Sequence, residues 1–279
     1  MIVRRSETRN QVRREDSVET KLSGANEVHT NLAKVIARQL EEDIVLGRRH
    51  PRERLVEQDL CERFDTHRGD VRMAFFELEK KGIIKRIPKR GAVVRDLTPK
   101  EVMEIYAVRE ELEVMAVRIL PFPVAASDLD RLDELQRKHS AAIDSGHLLD
   151  MFYENLNFHR VLFGLCGNTC LSETIEHCAQ KVYGIRAYAN AFPETLDCAR
   201  RDHIEMIAAL RRSRRDDLIA LTRRHLRPSP AAYIRAYERR FGKTGSGAST
   251  VQHRAQAFAQ LRSGASQEEA PSPRGEGLT

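Results

Sequence analysis

The sequence predicts a mainly α-helical protein in which a small N-terminal unit of helices and one β-hairpin precedes an all-helical bundle. Apolar residues recur at helical spacing through most of the chain, and strand patterns are confined to residues 83–95. The charge divides the chain at the same place. Residues 1–95 carry 22 basic and 16 acidic side chains, whereas residues 96–279 carry 25 of each. A basic first third beside a neutral remainder predicts a polyanion-binding unit joined to a unit that does not bind polyanions.

Composition excludes several classes of protein. A chain of 279 residues, 41% hydrophobic and 32% charged, is typical of a soluble protein of one or two domains. It contains no apolar run of about 18 residues that would span a membrane. No apolar segment follows the first arginines, so no secretory signal is predicted. Five cysteines at irregular positions do not indicate a disulfide framework, and we expect a reducing cytoplasm.

The N-terminal unit has the parts of a winged helix-turn-helix, predicted over residues 28–96. Residues 1–27 are polar, without helical periodicity, and are predicted to be a disordered arm. The predicted elements are helices at His29–Leu46, Val56–Phe64 and Arg68–Lys81, a strand near Ile83–Ile87, a turn at Pro88–Gly91 and a strand at Ala92–Arg95. The two strands form the hairpin that would serve as the wing.

Residues 97–240 are predicted to form an all-α antiparallel bundle of six or seven helices. Thr98 and Glu101 make a capping box, with Pro99 at the first helical position. Amphipathic patterns predict helices at about 99–119, 127–144, 148–166, 169–190, 196–212 and 215–239. The tail at 241–279 is rich in Gly, Ser, Gln and Pro and is predicted to be disordered, with one candidate helix at Val251–Leu261.

The third predicted helix carries the residues best suited to read DNA. Arg68 and Arg72 are four residues apart, so they share a face at its N-terminal end, and arginine pairs bidentately with guanine in the major groove. Lys89 and Arg90 at the wing tip can reach phosphate or the minor groove. A solvated basic face is the plainer alternative. The predicted DNA-binding residues are His67, Arg68, Gly69, Arg72, Lys89, Arg90 and Gly91.

Residues 29–95 resemble the GntR family of regulators. The anchors are Glu53-Arg54-Leu55, Asp59-Leu60, Val71-Arg72, Leu78-Glu79, Gly82 and Arg90-Gly91, in the family's spacing. The resemblance implies binding to a double-stranded operator, and dimers of such modules read short inverted repeats. Gly69-Asp70 stands where the family often has Thr-Pro, and Met73 where it has Glu. We expect Asp70 to add a negative charge near the phosphates and the operator preference to differ.

Three histidines and an asparagine in the second unit form part of a further family resemblance. Asn155 and His159 lie four residues apart on one helical face, and His203 and His225 follow on later helices. With Ile105–Arg109, Leu112-Glu113 and Gly167-Asn168, they resemble the FCD-type effector domain over residues 101–230. In that family an Asp or Asn and three histidines bind a divalent metal. The resemblance therefore implies a site formed by Asn155, His159, His203 and His225.

Zinc or nickel suits imidazole ligands best, and an open position admits an oxygen of an effector carboxylate. Asn155 is a neutral and weaker donor than Asp. Each histidine taken alone is more often a packed core residue, and the remaining ones are assigned that role: His29, His50, His139, His147, His177 and His253. The Cys166/Cys170 pair is interrupted by Gly167-Asn168 and is assigned no function.

Arg109 and Arg186 are the candidate effector-binding residues, because a guanidinium holds a carboxylate bidentately. An internal ion pair between Arg109 and Glu113 is the equal alternative for the first. The sequence thus predicts a homodimeric DNA-binding regulator, a repressor more than an activator, that responds to a small carboxylate at a metal and is not an enzyme. A metalloenzyme hydrolysing its substrate at the histidines, a metal-free effector domain and a bundle that only dimerises remain the alternatives. The chain has no His-Glu-x-x-His sequence, which argues against the metalloenzyme.

Overall fold

The computed structural model describes residues 31–190 and 193–241, without the side chains of residues 187–190. The predicted N-terminal arm, the candidate helix Val251–Leu261 and the start of the first helix lie outside this part. The described chain is mainly α-helical with one small sheet, which confirms the predicted fold class. None of its helices is long and apolar enough to cross a membrane.

The N-terminal unit contains three helices and a three-stranded antiparallel sheet. Its elements are α1 (31–45), β1 (Arg54–Leu55), α2 (Glu57–Phe64), α3 (Arg68–Lys80), β2 (Ile84–Ile87) and β3 (Gly91–Val94). The strand order is β1-β3-β2, with Leu55 opposite Ala92 and Arg86 opposite Ala92 on the other side. The predicted hairpin is present. Strand β1 was not predicted, because two residues are too few to show an alternating pattern.

A glycine closes the wing onto β1. Gly91 has a φ of +86°, and a Cβ at this position would lie 2.3 Å from the carbonyl oxygen of Leu55. Any side chain would therefore collide with backbone, in addition to the strain of a left-handed conformation. Gly91 fixes the shape of the wing and is not free to vary for DNA contact.

Eight helices form the second unit of the described chain, rather than the six or seven predicted. They are α4 (Pro99–Ile119), α5 (Ala126–Ser145), α6 (Leu148–Gly164), α7 (Thr169–Gln180), α8 (Tyr183–Asn190), α9 (Pro193–Arg211), α10 (Arg215–His225) and α11 (Pro228–Phe241). The capping box at Thr98 and Glu101 is present as predicted. The Cys166/Cys170 pair is split, since α6 ends at Gly164 and Asn168 caps α7.

Two predicted helices are each divided, and those predictions were wrong. The segment 215–239 breaks before Pro228, which has no N–H to continue α10 and instead occupies the first position of α11. The segment 169–190 breaks at Lys181 and Val182, where the chain tightens: the Val182 amide donates to the Ala179 carbonyl at 3.1 Å. By its contacts the chain divides at Ile234, and the described residues beyond that point are helical, with Tyr237 packed on Phe241.

One apolar core joins the winged unit to the bundle. The buried cluster of the winged unit includes Ile36, Leu40 and Phe75, and it extends to Phe152 and Leu156 of α6. Ala179 of α7 and Tyr183 of α8 complete it. A second cluster fills the bundle between α4, α5, α6, α7, α9 and α10. Helix α6 thus contributes side chains to the cores of both units.

Candidate functional site

The outward face of α3 presents the predicted DNA-reading residues. His67, Arg68, Gly69 and Arg72 are all exposed, while Val71, Ala74, Phe75 and Leu78 are buried on the opposite face. Two side chains at the start of α2 hold the arginines in place. Arg72 Nε donates to both carboxylate oxygens of Glu57 at 3.0 and 3.1 Å, and Arg68 donates to Gln58 Oε1 at 3.2 Å. Both guanidinium groups remain open to solvent.

Asp70 does not belong to this face, and the expectation that it faces phosphates was wrong. Its side chain is buried and accepts a hydrogen bond from the Thr66 hydroxyl at 2.7 Å. The carboxylate therefore helps fix the turn before α3. At the wing, Lys89 and Arg90 are exposed at the turn, and Lys89 has a φ of +62°.

Three histidines from three helices converge inside the bundle. Nε2 of His159 on α6 lies 3.0 Å from Nε2 of His225 on α10 and 3.3 Å from Nε2 of His203 on α9. One ligand atom from each lies within 4.8 Å of the others. Two nitrogens bound to one metal at about 2.0–2.1 Å are separated by roughly 2.9 to 3.4 Å for octahedral to tetrahedral angles. The two separations measured from Nε2 of His159 fall in that range.

The state of the imidazoles also fits a cation. Burial, followed by the neighbouring charges of His225 and other groups, holds the pKa of His159 and of His203 well below that of a free imidazole. His203 Nδ1 lies 2.7 Å from Gln136 Oε1, an acceptor, so Nδ1 carries the proton and Nε2 offers a lone pair. His159 Nδ1 and His225 Nδ1 are buried without hydrogen-bond partners. A divalent ion requires neutral imidazoles with lone pairs directed at it, and the low pKa values of His159 and His203 meet that requirement.

Asn155, the fourth predicted ligand, faces Arg186. With its amide oxygen turned toward the guanidinium, Asn155 accepts from two nitrogens of Arg186, at 2.5 and 3.3 Å. Both residues line the cavity that His159 and His225 also line. The single oxygen of Asn155 is therefore engaged by Arg186 in this structure.

The two candidate effector-binding arginines differ in their partners. Arg109 is buried and donates twice to Glu113 Oε1, at 2.8 and 3.1 Å, so its charge is balanced within α4. Within the described part of the chain, no carboxylate forms an ion pair with Arg186, and burial followed by the nearby Arg109 lowers its pKa. Arg186 is thus a cation in a cavity without a balancing acid.

Sequence reasoning missed three polar residues of this region. Gln136 and His139 on α5 are buried, and His139, which lines the cavity, has its Nδ1 without a partner. Burial lowers the pKa of His139 to about 4. Asp202 Oδ2 lies 3.4 Å from Nδ1 of His225. Gln136 and His139 occupy the same stripe of α5 as the buried Leu132, so a polar residue within an apolar stripe was the available clue.

Comparison with known proteins gives matches to both units. The family described as bacterial regulatory proteins, gntR family, matches residues 32–94, and the FCD domain matches residues 104–228. The HTH-type transcriptional repressor RspR of Escherichia coli is 24% identical over 210 residues, covering 75% of this chain and 90% of RspR. The transcriptional regulator YdhC of Bacillus subtilis is 26% identical over 179 residues, covering 64% of this chain and 80% of YdhC.

Solved structures share the fold. Escherichia coli McbR/YncC matches with a TM-score of 0.65 at 22% identity, covering 74% of this chain and 98% of that chain. A GntR regulator of Rhodococcus sp. RHA1 matches with a TM-score of 0.63 at 22% identity, covering 74% and 98%. The fold and both matched units define a DNA-binding transcription regulator with a helical C-terminal domain. The chain belongs to the GntR family and carries an FCD domain, and its relatives are regulators rather than enzymes.

Proposed function

We propose that this regulator is a homodimeric, cytoplasmic repressor whose affinity for its operator is controlled by a small carboxylate bound beside a metal in the FCD domain. The observation that carries the proposal is the meeting of three histidine Nε2 atoms beside an arginine that has no acidic partner among the described residues. The relative RspR is a transcriptional repressor, and repression enters here as a proposal for this chain.

The metal would be held by His159, His203 and His225, with Asn155 as the candidate fourth ligand. A divalent ion such as zinc or nickel, when bound, supplies a Lewis-acidic position for an oxygen ligand. Gln136 orients the ring of His203 through its Nδ1, and Asp202 faces Nδ1 of His225. The contact with Gln136 fixes the tautomer of His203 that leaves its Nε2 available.

The effector would bind in the cavity through Arg186. A buried cation without an acidic partner is costly, and a carboxylate would balance it with charge-assisted hydrogen bonds. Arg109 is less suited to this task because Glu113 already balances it. The unpartnered Nδ1 of His139 offers one further polar contact inside the same cavity.

Helix α6 connects the cavity to the DNA-binding unit. Phe152 lines the cavity and also belongs to the core that includes the winged unit. Its ring packs edge-on against Tyr183 at 5.1 Å, and the Arg186 guanidinium lies over it at 5.9 Å. Tyr153 is the next residue of α6, and its hydroxyl donates to Glu42 of α1 at 2.8 Å. An effector that moves Arg186 would therefore displace a side chain on which the winged unit rests.

A stripe on α4 is proposed as the dimer interface. Val108, Met115 and Ile119 are 51%, 47% and 44% exposed and share one helical face. Three large apolar side chains in a row on a helix suit burial against a second copy. A twofold dimer would place two α3 helices on two half-sites, which agrees with an inverted-repeat operator.

The experiment measures operator affinity by fluorescence anisotropy, with zinc present, across a panel of small mono- and dicarboxylates. We expect at least one acid to change the affinity of the wild-type protein for its selected operator. The Arg186→Gln variant should lose that response and keep its basal affinity. Arg131→Gln, which removes an exposed arginine from α5, is the matched control and should respond as wild type does. An unchanged response in Arg186→Gln would contradict the proposed effector site.

A further inference from the structure

The DNA-reading face of α3 carries two large apolar side chains in addition to its arginines. Met73 is 52% exposed and Phe76 is 47% exposed, although neighbouring Ala74 and Phe75 are buried. Both lie on the turns that follow Arg68, Gly69 and Arg72 on the outward side of the helix. Phe76 has an intramolecular partner in the wing, because the guanidinium of Arg86 lies 5.5 Å from its ring centre.

Met73 has no such partner. It belongs to neither buried cluster of the described chain, nor to the partly buried residues packed against them. Arg68 and Arg72 precede it on the outward side of the helix, and their guanidinium groups are held by α2 and directed to solvent. An exposed thioether on the side of the helix that carries both arginines indicates a polyanionic partner that also offers a small apolar group.

DNA offers one apolar group in the major groove, the C5 methyl of thymine, and apolar side chains read it by direct contact. Met73 is five residues beyond Arg68, which places it about 7.5 Å further along the helix axis. That distance corresponds to roughly two base-pair steps of about 3.4 Å. At Gly69 a Cβ would meet nothing within 4 Å, so the helix head presents little bulk to the groove beside it.

We propose that Met73 is a specificity-determining residue that contacts the C5 methyl of a thymine in each operator half-site, about two base pairs from the base read by Arg68. The inference rests on sequence-specific DNA binding by α3, and it assigns a particular base to a particular side chain. A protein partner seated on Met73 is the competing occupant, and it would leave DNA recognition independent of this residue.

The experiment begins by selecting the operator from a random duplex library with the full-length wild-type protein. Each thymine of the half-site is then replaced by deoxyuridine, which removes only the methyl group. Loss of one buried methyl-sized contact, at ~0.8 kcal/mol, corresponds to about fourfold weaker binding. We expect one deoxyuridine position in each half-site to show this loss with the wild-type protein, and Met73→Ala to bind both duplexes equally.

Two further variants make the result independent of folding defects. Met73→Leu keeps an apolar side chain and should retain sensitivity to the same methyl. Met73→Glu should favour cytosine at that position, because a carboxylate accepts from cytosine N4. Met103→Ala, which truncates an exposed methionine on α4, is the matched control and should leave the deoxyuridine profile unchanged.

Deoxyuridine sensitivity that persists in Met73→Ala would overturn the proposal, as would a selected operator in which no thymine methyl affects binding. Those results would leave sequence-specific DNA binding intact. If no sequence is enriched in the selection, both the specific binding by α3 and this assignment are wrong.

Discussion

Gln136 holds the ring of His203 in the orientation that a metal site needs: the Nδ1 of the histidine lies 2.7 Å from the amide oxygen Oε1. Both side chains are buried, so no water competes for this contact. The contact fixes the proton on Nδ1 and leaves Nε2 facing His159 at 3.3 Å. A residue on α5 thereby orients the proposed metal ligand on α9.

Replacing Gln136 tests this orienting role. Loss of an outer partner of a metal-bound histidine lowers metal affinity by about 10- to 100-fold. We expect Gln136→Ala to weaken zinc binding by that factor in a competition assay with a chromogenic chelator. Gln136→Glu also presents an acceptor to Nδ1 and should bind zinc at least as tightly as wild type. Equal zinc affinity in Gln136→Ala and wild type would show that the contact has no such role.

Asn155→Asp should change metal and effector affinity in opposite directions. A carboxylate has a second oxygen and a negative charge, so it can serve the cation while still contacting Arg186. Two unit charges 4 Å apart interact by ~4 kcal/mol at an effective dielectric of about 20. A gain of ~1.4 kcal/mol, well below that value, would tighten metal binding tenfold. The same charge balances Arg186, so affinity for a carboxylate effector should fall. Calorimetry with zinc and with the effector measures both, and parallel changes would contradict this account.

Arg68 and the wing should contribute to DNA binding in different ways. Loss of one bidentate base contact costs roughly 1–3 kcal/mol of discrimination, so Arg68→Ala or Arg72→Ala should abolish preference for the selected operator. Lys89→Ala should weaken binding to every sequence and reduce the slope of log affinity against log salt by about two, because each subunit of the dimer loses one phosphate contact. A salt series with specific and scrambled duplexes separates the two effects. Sequence-selective binding at full affinity by Arg68→Ala would exclude the assigned role.

The proposed dimer interface on α4 predicts that the effect of one introduced charge depends on its position. Met115→Glu places a carboxylate within the exposed apolar stripe and should shift the protein to monomer in sedimentation velocity. Met103→Glu introduces the same change on another face of α4 and should leave the dimer intact. Since two half-sites are bound together, the Met115 variant should also lose operator affinity. Wild-type protein that sediments as monomer, free and on DNA, would refute the interface.

The winged unit could be predicted closely because its elements are short and clearly terminated. Gly47, Gly82 and Gly91 all have positive φ, and they fall where the predicted helices and strands end. Asp70 was misjudged because a sequence does not show that the side chain turns inward to Thr66. The strand β1 went unpredicted because two residues carry no alternation.

In the bundle the periodic pattern hid both helix breaks. Ile175, Ala179, Val182 and Tyr183 are all buried, so the apolar spacing runs through the turn at Lys181 as if the helix continued. Pro228 indicates the end of a helix, but the long amphipathic pattern favoured one continuous helix over 215–239. The histidines that meet could be named from the resemblance, whereas Gln136, His139 and Asp202 could not, because their roles depend on how α5 and α9 pack.

The central claim is that His159, His203 and His225 hold a metal in the folded protein. The direct measurement is elemental analysis of untagged protein purified without chelator or nickel resin, together with melting curves with and without a chelator. We expect roughly one equivalent of a transition metal per chain and a melting temperature that falls on chelation, because an ion bound to the folded state stabilises it. His203→Ala should contain little metal and melt at a temperature independent of chelator. Wild-type protein with less than about a tenth of an equivalent, and with no change in melting on adding zinc or nickel, would contradict the claim.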